Sequence, residues 1–211
     1  VIIFSIPLAW LYLIPPEFVD FSNSIFSSIF FWSNFYFYNA GQLYYDVLSL
    51  LKPLLHTWSL SVEIQFYVLF PIFFILCLNL FKKKINLILF LLFFCSLIFS
   101  IWVTKNYPTL SFYILPTRIW ELLAGSILAK LEIDHDRSKN RILSKFLPSF
   151  GILLILLSFI YFNHNIVHPS FYTLLPVIGV LLIIWFSNEH DVTTKLLSSK
   201  IFVGVGLISY S

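Results

Sequence analysis

WSLSVEIQFYVLFPIFFILCLNLF (58–81), KKK (82–84) and INLILFLLFFCSLIFSIWV (85–103) follow one another without interruption. Each apolar run approaches or exceeds the roughly 20 residues that a helix needs to cross a hydrocarbon layer. Backbone groups that find no water must bond within their own segment, so such runs are read as helices. The lysine triplet between them marks the place where the chain leaves the apolar phase and turns. The stretch therefore predicts a helical hairpin in a membrane, and the rest of the chain has the composition to match. Of 211 residues, 59% are hydrophobic, 20% aromatic and 11% charged, and the mean hydropathy is +0.91. A soluble domain carries about 25% charged residues, so this chain cannot cover itself with polar surface.

Working outward, eight apolar segments are expected, at about 1–14, 23–39, 58–81, 85–103, 116–131, 147–162, 173–187 and from 201 onward. The fold expectation is all-α: a polytopic transmembrane helical bundle of about seven complete segments plus one cut short at the C-terminus. Pro71 interrupts the longest run and predicts a kink there. Val1 and Ser211 both lie within apolar runs and the chain has no Met. It is therefore read as one domain, 1–211, internal to a longer protein. No repeat or soluble linker divides it.

Positive charge sets the expected orientation. Lys82 to Lys84 fill one loop; Lys130, Arg137, Lys139, Arg141 and Lys145 fill another; Lys195 and Lys200 sit in a third. The positive-inside rule makes these loops cytoplasmic. The loop bearing Lys52 and His56 then faces the outer side, as does the start of the Arg118 helix. A net charge of +3 with no basic stripe argues against nucleic acid as a partner. Cys77 and Cys95 lie within apolar runs and read as small hydrophobes.

Polar groups within a hydrocarbon slab are costly, so each one asks for a reason. Residues 53–67, PLLHTWSLSVEIQFY, place His56, Ser59, Ser61, Glu63, Gln65 and Tyr67 at the mouth of an apolar helix. Helical spacing puts Ser59, Glu63 and Phe66/Tyr67 on one face and Ser61 with Gln65 on the next. Glu63 lies too deep for a capping box. Proton transfer and a structural polar knot between helices both remain open for it. Residues 115–129, LPTRIWELLAGSILA, place Pro116 at a helix start and Arg118 and Glu121 at i, i+3, close enough to pair. A guanidinium there can fork onto a carboxylate, phosphate or carbonyl, or simply neutralise Glu121. His164 and His168 have metal-like spacing but fall in a Pro- and Asn-rich loop without a third ligand, so no metal site is expected.

Taken together, the 53–67 segment followed by Pro71 resembles the signature of the acyltransferase-three family, which includes bacterial O-antigen and peptidoglycan O-acetyltransferases. Arg118 to Ser126, RIWELLAGS, resembles its second landmark. Ser33 to Phe37 with Tyr44, Tyr45 and Asp46 resembles its lead-in, and Gly204 to Ser211 the opening of a third motif. The resemblance implies a multi-pass protein of the bacterial inner membrane, with acyl-CoA, most often acetyl-CoA, as donor and a lipid-linked or cell-surface glycan as acceptor. Membrane lipid is a further partner; the long form of the family, toward which residues 53–67 and 204–211 lean, often carries a fused SGNH-type hydrolase domain. His56 and Glu63 are implied as catalytic; Ser59, Ser61, Gln65, Tyr67, Arg118 and Glu121 are implied as substrate-binding. Family members also carry an upstream helix with Arg and a catalytic His, which this stretch lacks, and Ile64 stands where many have a second acidic residue. Competing readings are a transporter or flippase, a structural membrane subunit, and a catalytically incomplete remnant. A flippase would show inverted repeats, and none is visible.

Overall fold

The computed structural model of the protein describes residues 2–41, 52–135, 141–162, 167–188 and 191–210. Among these, all regular structure is helical: α1 (Ile2–Tyr12), α2 (Pro15–Ile29), α3 (Ser33–Gly41), α4 (Thr57–Phe81), α5 (Ile85–Asn106), α6 (Pro108–Tyr113), α7 (Ile119–His135), α8 (Arg141–Tyr161), α9 (Leu174–Phe186), α10 (Val192–Leu197) and α11 (Lys200–Tyr210). Tyr44, Tyr45, Asp46, His164, His190, Arg137 and Lys139 lie outside the described residues. The chain divides into two compact units, Val1–Leu122 and Leu123–Ser211.

The first unit is organised around α4 and α5, which form one helical stretch, Thr57–Asn106, broken by a 3-10 turn at Lys82–Lys84. Among the described residues it is the one stretch long and apolar enough to cross a membrane; Ile2–Tyr12, Phe146–Tyr161 and Phe171–Phe186 are apolar but shorter. The seven spans expected from composition are thus not all visible as long helices. The arms of 25 and 22 residues measure about 37 and 33 Å at the α-helical rise of about 1.5 Å per residue. Trp58 at the start of α4 packs on Phe112 and Tyr113, while Ser96 and Thr104 in the later part of α5 bond Pro116 O and Ser111 Oγ. Both arms therefore return to the segment 108–117, and the lysine turn lies at the opposite end. Large apolar side chains such as Val68, Ile72, Leu76, Leu91 and Ile98 remain more than half exposed along the arms.

The apolar segment at 23–39, which the sequence leaves open as crossing or doubling back, is two helices. It breaks at Phe30–Trp32, where Phe31 adopts φ 53°, a left-handed conformation that costs a non-glycine residue roughly 1–2 kcal/mol. The result is an α2–α3 hairpin laid along the beginning of α4. Ser28 pairs with Thr57, Ser33 with Ser61, and the Phe31 carbonyl at the tip accepts from Gln65. The hairpin's other end folds back on itself, Tyr36 Oη donating to Asp20 O at 2.9 Å. Gln65 is two turns beyond Thr57, so the tip descends about 12 Å along α4 before reversing. Ala9, Phe21, Phe37 and Leu54 close an apolar cluster beneath the hairpin's open end. Two short helices escaped the sequence reading, α6 and α10, and Pro116 lies in a 3-10 turn at Leu115–Thr117, ahead of α7.

In the second unit α8 and α9 pack antiparallel through glycine. A Cβ built on Gly151 would lie 2.5 Å from Gly179 O and 3.0 Å from Ile183 Cγ1; one on Gly179 would lie 2.7 Å from Gly151 O and 2.9 Å from Ile155 Cγ1. Without side chains there, the two backbones touch, the arrangement that stabilises helix pairs in lipid. Lys130 and Asp134 pair one turn apart within α7. Gly179→Ala is expected to force the helices apart and lower stability by about 1–3 kcal/mol. Gly204→Ala, with nothing within 4 Å of the added carbon, should be neutral or slightly stabilising. Thermal unfolding of the detergent-solubilised protein followed by circular dichroism checks the pair; equal melting of both variants and wild type would refute the close crossing.

Candidate functional site

The site begins where α4 emerges from its preceding turn. Leu55, Thr57 and Trp58 amides bond the carbonyls three residues back, winding 52–58 tightly into α4. This winding carries Trp58 onto the Phe112 ring, with centroids 4.3 Å apart. The adjoining rings support Arg118, whose Cζ lies 4.8 Å from the Trp58 centroid and 5.1 Å from that of Phe112. A guanidinium on aromatic faces keeps its donors in the plane, free for hydrogen bonding. One of them, Nε–H, donates to Phe112 O at 3.1 Å, and Nη1 reaches Glu121 Oε2 at 3.5 Å. The pair is largely withdrawn from the surface, the two side chains being 19% and 24% exposed.

Glu63 faces the same place. Trp58, Ser59, Val62 and Glu63 from α4 and Arg118, Glu121 and Leu122 from the opposite side enclose a cleft of about 70 Å³. That is space for a few water-sized groups, the scale of an acetyl unit and far below what a whole coenzyme needs. Two carboxylates thus line the same cleft as one guanidinium. Glu121 is committed to Arg118; Glu63 makes no hydrogen bond or ion pair among the described residues.

The remaining residues singled out by sequence divide by helix face. Ser59 lines the cleft and donates to His56 O at 3.2 Å. The His56 side chain is exposed at the helix start and is not among the cleft's walls. Ser61 and Gln65 turn to the α2–α3 hairpin: Ser61 shares a 2.7 Å bond with Ser33, and Gln65 donates to Phe31 O and Asn34 Oδ1, both at 3.0 Å. Tyr67 points outward, 58% exposed, while its neighbour Phe66 is buried, so Tyr67 lies away from the cleft. Sequence reasoning missed Trp58 and Phe112 as the seat of Arg118, since aromatic side chains in an apolar chain look like lipid-facing bulk. It also missed Asn34, fully buried, whose Nδ2 donates to Tyr113 O at 3.0 Å and joins α3 to the segment carrying Arg118.

These bonds separate scaffold from chemistry. Asn34→Leu removes the donor to Tyr113 O and one of the two acceptors of Gln65; a loss of about 1–3 kcal/mol is expected, the scale for breaking buried hydrogen bonds. Glu63→Gln removes no partner and should leave the melting temperature unchanged. A large fall in stability for Glu63→Gln, measured by the same thermal unfolding, would make Glu63 part of the scaffold.

Comparison with known proteins gives a family match over residues 8–211, to the acyltransferase-three model described as "Acyltransferase domain". The chain is 33% identical over 189 residues to an uncharacterised protein of Haemophilus influenzae, covering 83% of this chain and 75% of that protein. It is 26% identical over 196 residues to the peptidoglycan O-acetyltransferase OatA of Listeria monocytogenes, covering 87% of this chain and 31% of that protein. It is also 27% identical over 222 residues to a candidate O-acetyltransferase of Staphylococcus aureus, across 100% of this chain and 37% of that protein. The chain thus spans about a third of the length of the relatives named as O-acetyltransferases. No solved structure matches it.

Proposed function

The chain belongs to the acyltransferase-three family, and on that premise we propose that it forms part of a multi-pass membrane enzyme moving an acyl group, acetyl in the first instance, from acyl-CoA to a hydroxyl of an envelope glycan. The observation that carries the reading is the acetyl-sized cleft in which an unpartnered carboxylate, Glu63, faces a guanidinium seated on Trp58 and Phe112. The glycan acceptor is supported by the name of the Listeria relative. The orientation is supported by the basic loops: donor from the cytoplasmic side, acceptor on the outer side with His56.

In the reaction an acceptor oxygen attacks the thioester carbonyl as its proton passes to a base. The C–S bond then breaks, and the coenzyme thiolate leaves and takes up a proton. Arg118 donates N–H to the carbonyl oxygen as it becomes an oxyanion, its position already fixed by Glu121 and the Phe112 carbonyl, so little reorganisation is required. Glu63, on the cleft wall, accepts the hydroxyl proton. Ser59 lines the same wall. Ser61, Gln65 and the α2–α3 hairpin hold the arrangement from behind.

In the full-length protein in membrane vesicles, acetyl transfer from radiolabelled acetyl-CoA to glycan is the test. Arg118→Ala is expected to lose about 10²–10³ in kcat, the scale for an oxyanion donor. Glu63→Gln is expected to lose about 10²–10⁴, the scale for a general base, while protein level and melting temperature hold. Full activity in Glu63→Gln would remove the assigned role; no acetyl transfer by correctly folded wild type would remove the function.

A further inference from the structure

A second, larger cleft of about 300 Å³ opens beside α2, in the same unit. Its walls are of two kinds. Leu13, Phe21 and Pro53 supply an apolar floor, and Glu17, Asp20 and Lys52 supply charge. Lys52 Nζ lies 3.8 Å from Asp20 Oδ2, with side chains 22% and 59% exposed, and 5.8 Å from the Tyr36 ring centroid. Glu17 Oε2 accepts the Ile14 amide at 3.4 Å. Each charged group is thus held in place yet retains unused donors or acceptors: an ammonium has three N–H groups, and a carboxylate about four lone-pair sites.

The charge balance selects the ligand. An anion would meet two carboxylates; a cation would meet the ammonium. A neutral molecule rich in hydroxyls satisfies both, its O–H groups donating to Glu17 and Asp20 and its oxygens accepting from Lys52, with the C–H face of a ring on the apolar floor. The volume is at the low end for ligand sites, suited to one small ring. Lys52 and Pro53 line this cleft, while Trp58 and Ser59 line the acetyl-sized one. The wound segment between them spans about 10 Å at helical rise. We infer that the α2 cleft is the acceptor subsite, holding one sugar ring of the glycan so that a neighbouring hydroxyl is presented beyond the 52–59 turn to Glu63 and Arg118. The inference rests on the proposed acyl transfer for its place in the reaction, but sugar binding itself is measurable without turnover.

The experiment uses the full-length protein in detergent and N-acetylglucosamine as probe. Saturation-transfer NMR should show saturation of the ring C–H protons by wild type, reduced at least fivefold in Asp20→Asn and in Lys52→Gln. Asp20 is exposed and Lys52 partly so, and at 3.8 Å theirs is a loose ion pair contributing about 1 kcal/mol or less, so folding should persist. In the acetyl-transfer assay the same variants should raise the acceptor KM about tenfold with kcat and donor KM within about twofold of wild type, as for lost uniform binding. Equal sugar saturation in wild type and both variants overturns the subsite, as does a fall in kcat with acceptor KM unchanged. Sugar binding that depends on Asp20 and Lys52 in an enzyme that transfers no acetyl would uphold the cleft and overturn the function instead.

Discussion

A polar atom drawn into an apolar protein interior is costly unless it finds a partner there, because an unpaired buried group costs more than a hydrogen bond returns. In the first unit this constraint is met by a seam of small side chains between the α2–α3 hairpin and the start of α4: Ser28 with Thr57, Ser33 with Ser61, Gln65 with Asn34 and the Phe31 carbonyl. The serine and threonine hydroxyls also bond carbonyls of their own segments, as Ser28 does to Ser24 O and Thr57 to Leu54 O. Together they satisfy one another and fix the hairpin's depth and register, since a shift of one residue would break several bonds at once. Asn34 extends the seam by one further bond to Tyr113 O, and so reaches the segment that delivers Arg118.

The cleft inherits its geometry from that seam. α4 presents two faces: Ser61 and Gln65 toward the hairpin, Ser59 and Glu63 toward Arg118. Holding the first face determines where the second one looks. Arg118 is fixed independently by two rings, a backbone carbonyl and Glu121, so its donors are aimed before any substrate arrives. The separation of roles is chemical. Groups on the hairpin side are saturated with partners and suited to holding; Glu63, with none, is suited to proton transfer. Preorganised donors of this kind are the usual source of rate acceleration in acyl transfer.

Much of the fold was legible in the sequence because length and apolarity suffice for long helices: α4, α5 and the lysine turn fall where the composition puts them. Whether 23–39 crosses or doubles back was left open by the sequence for a physical reason. IFSSIFFWSNFYFY has the same apolar and aromatic content whether it runs straight or doubles back, and its break at Phe31 carries no Gly or Pro to announce it. The available signal was Ser24, Ser27 and Ser28 at i, i+3, i+4, a polar stripe that must bury against a partner. At the site, the Arg118–Glu121 pair follows from i, i+3 spacing alone. That Glu63 and Arg118 line one cleft is a tertiary fact that neither motif spells out by itself. The outward direction of Tyr67 was hidden because a one-residue step on a helix is a rotation of about 100°.

The central claim is that the α2–α3 hairpin is docked along the first turns of α4 and so sets the cleft. Oxidative cross-linking tests it most directly. Ser33→Cys/Ser61→Cys is made in the full-length protein with Cys77 and Cys95 replaced by alanine, and membranes are treated with a mild oxidant. With the two hydroxyl oxygens 2.7 Å apart, the account predicts near-complete disulfide formation, seen as a gel shift reversed by reductant, while Ser33→Cys alone stays uncross-linked and shielded from maleimide. Absence of the cross-link, with the cysteine at position 33 freely labelled in folded protein, would contradict it.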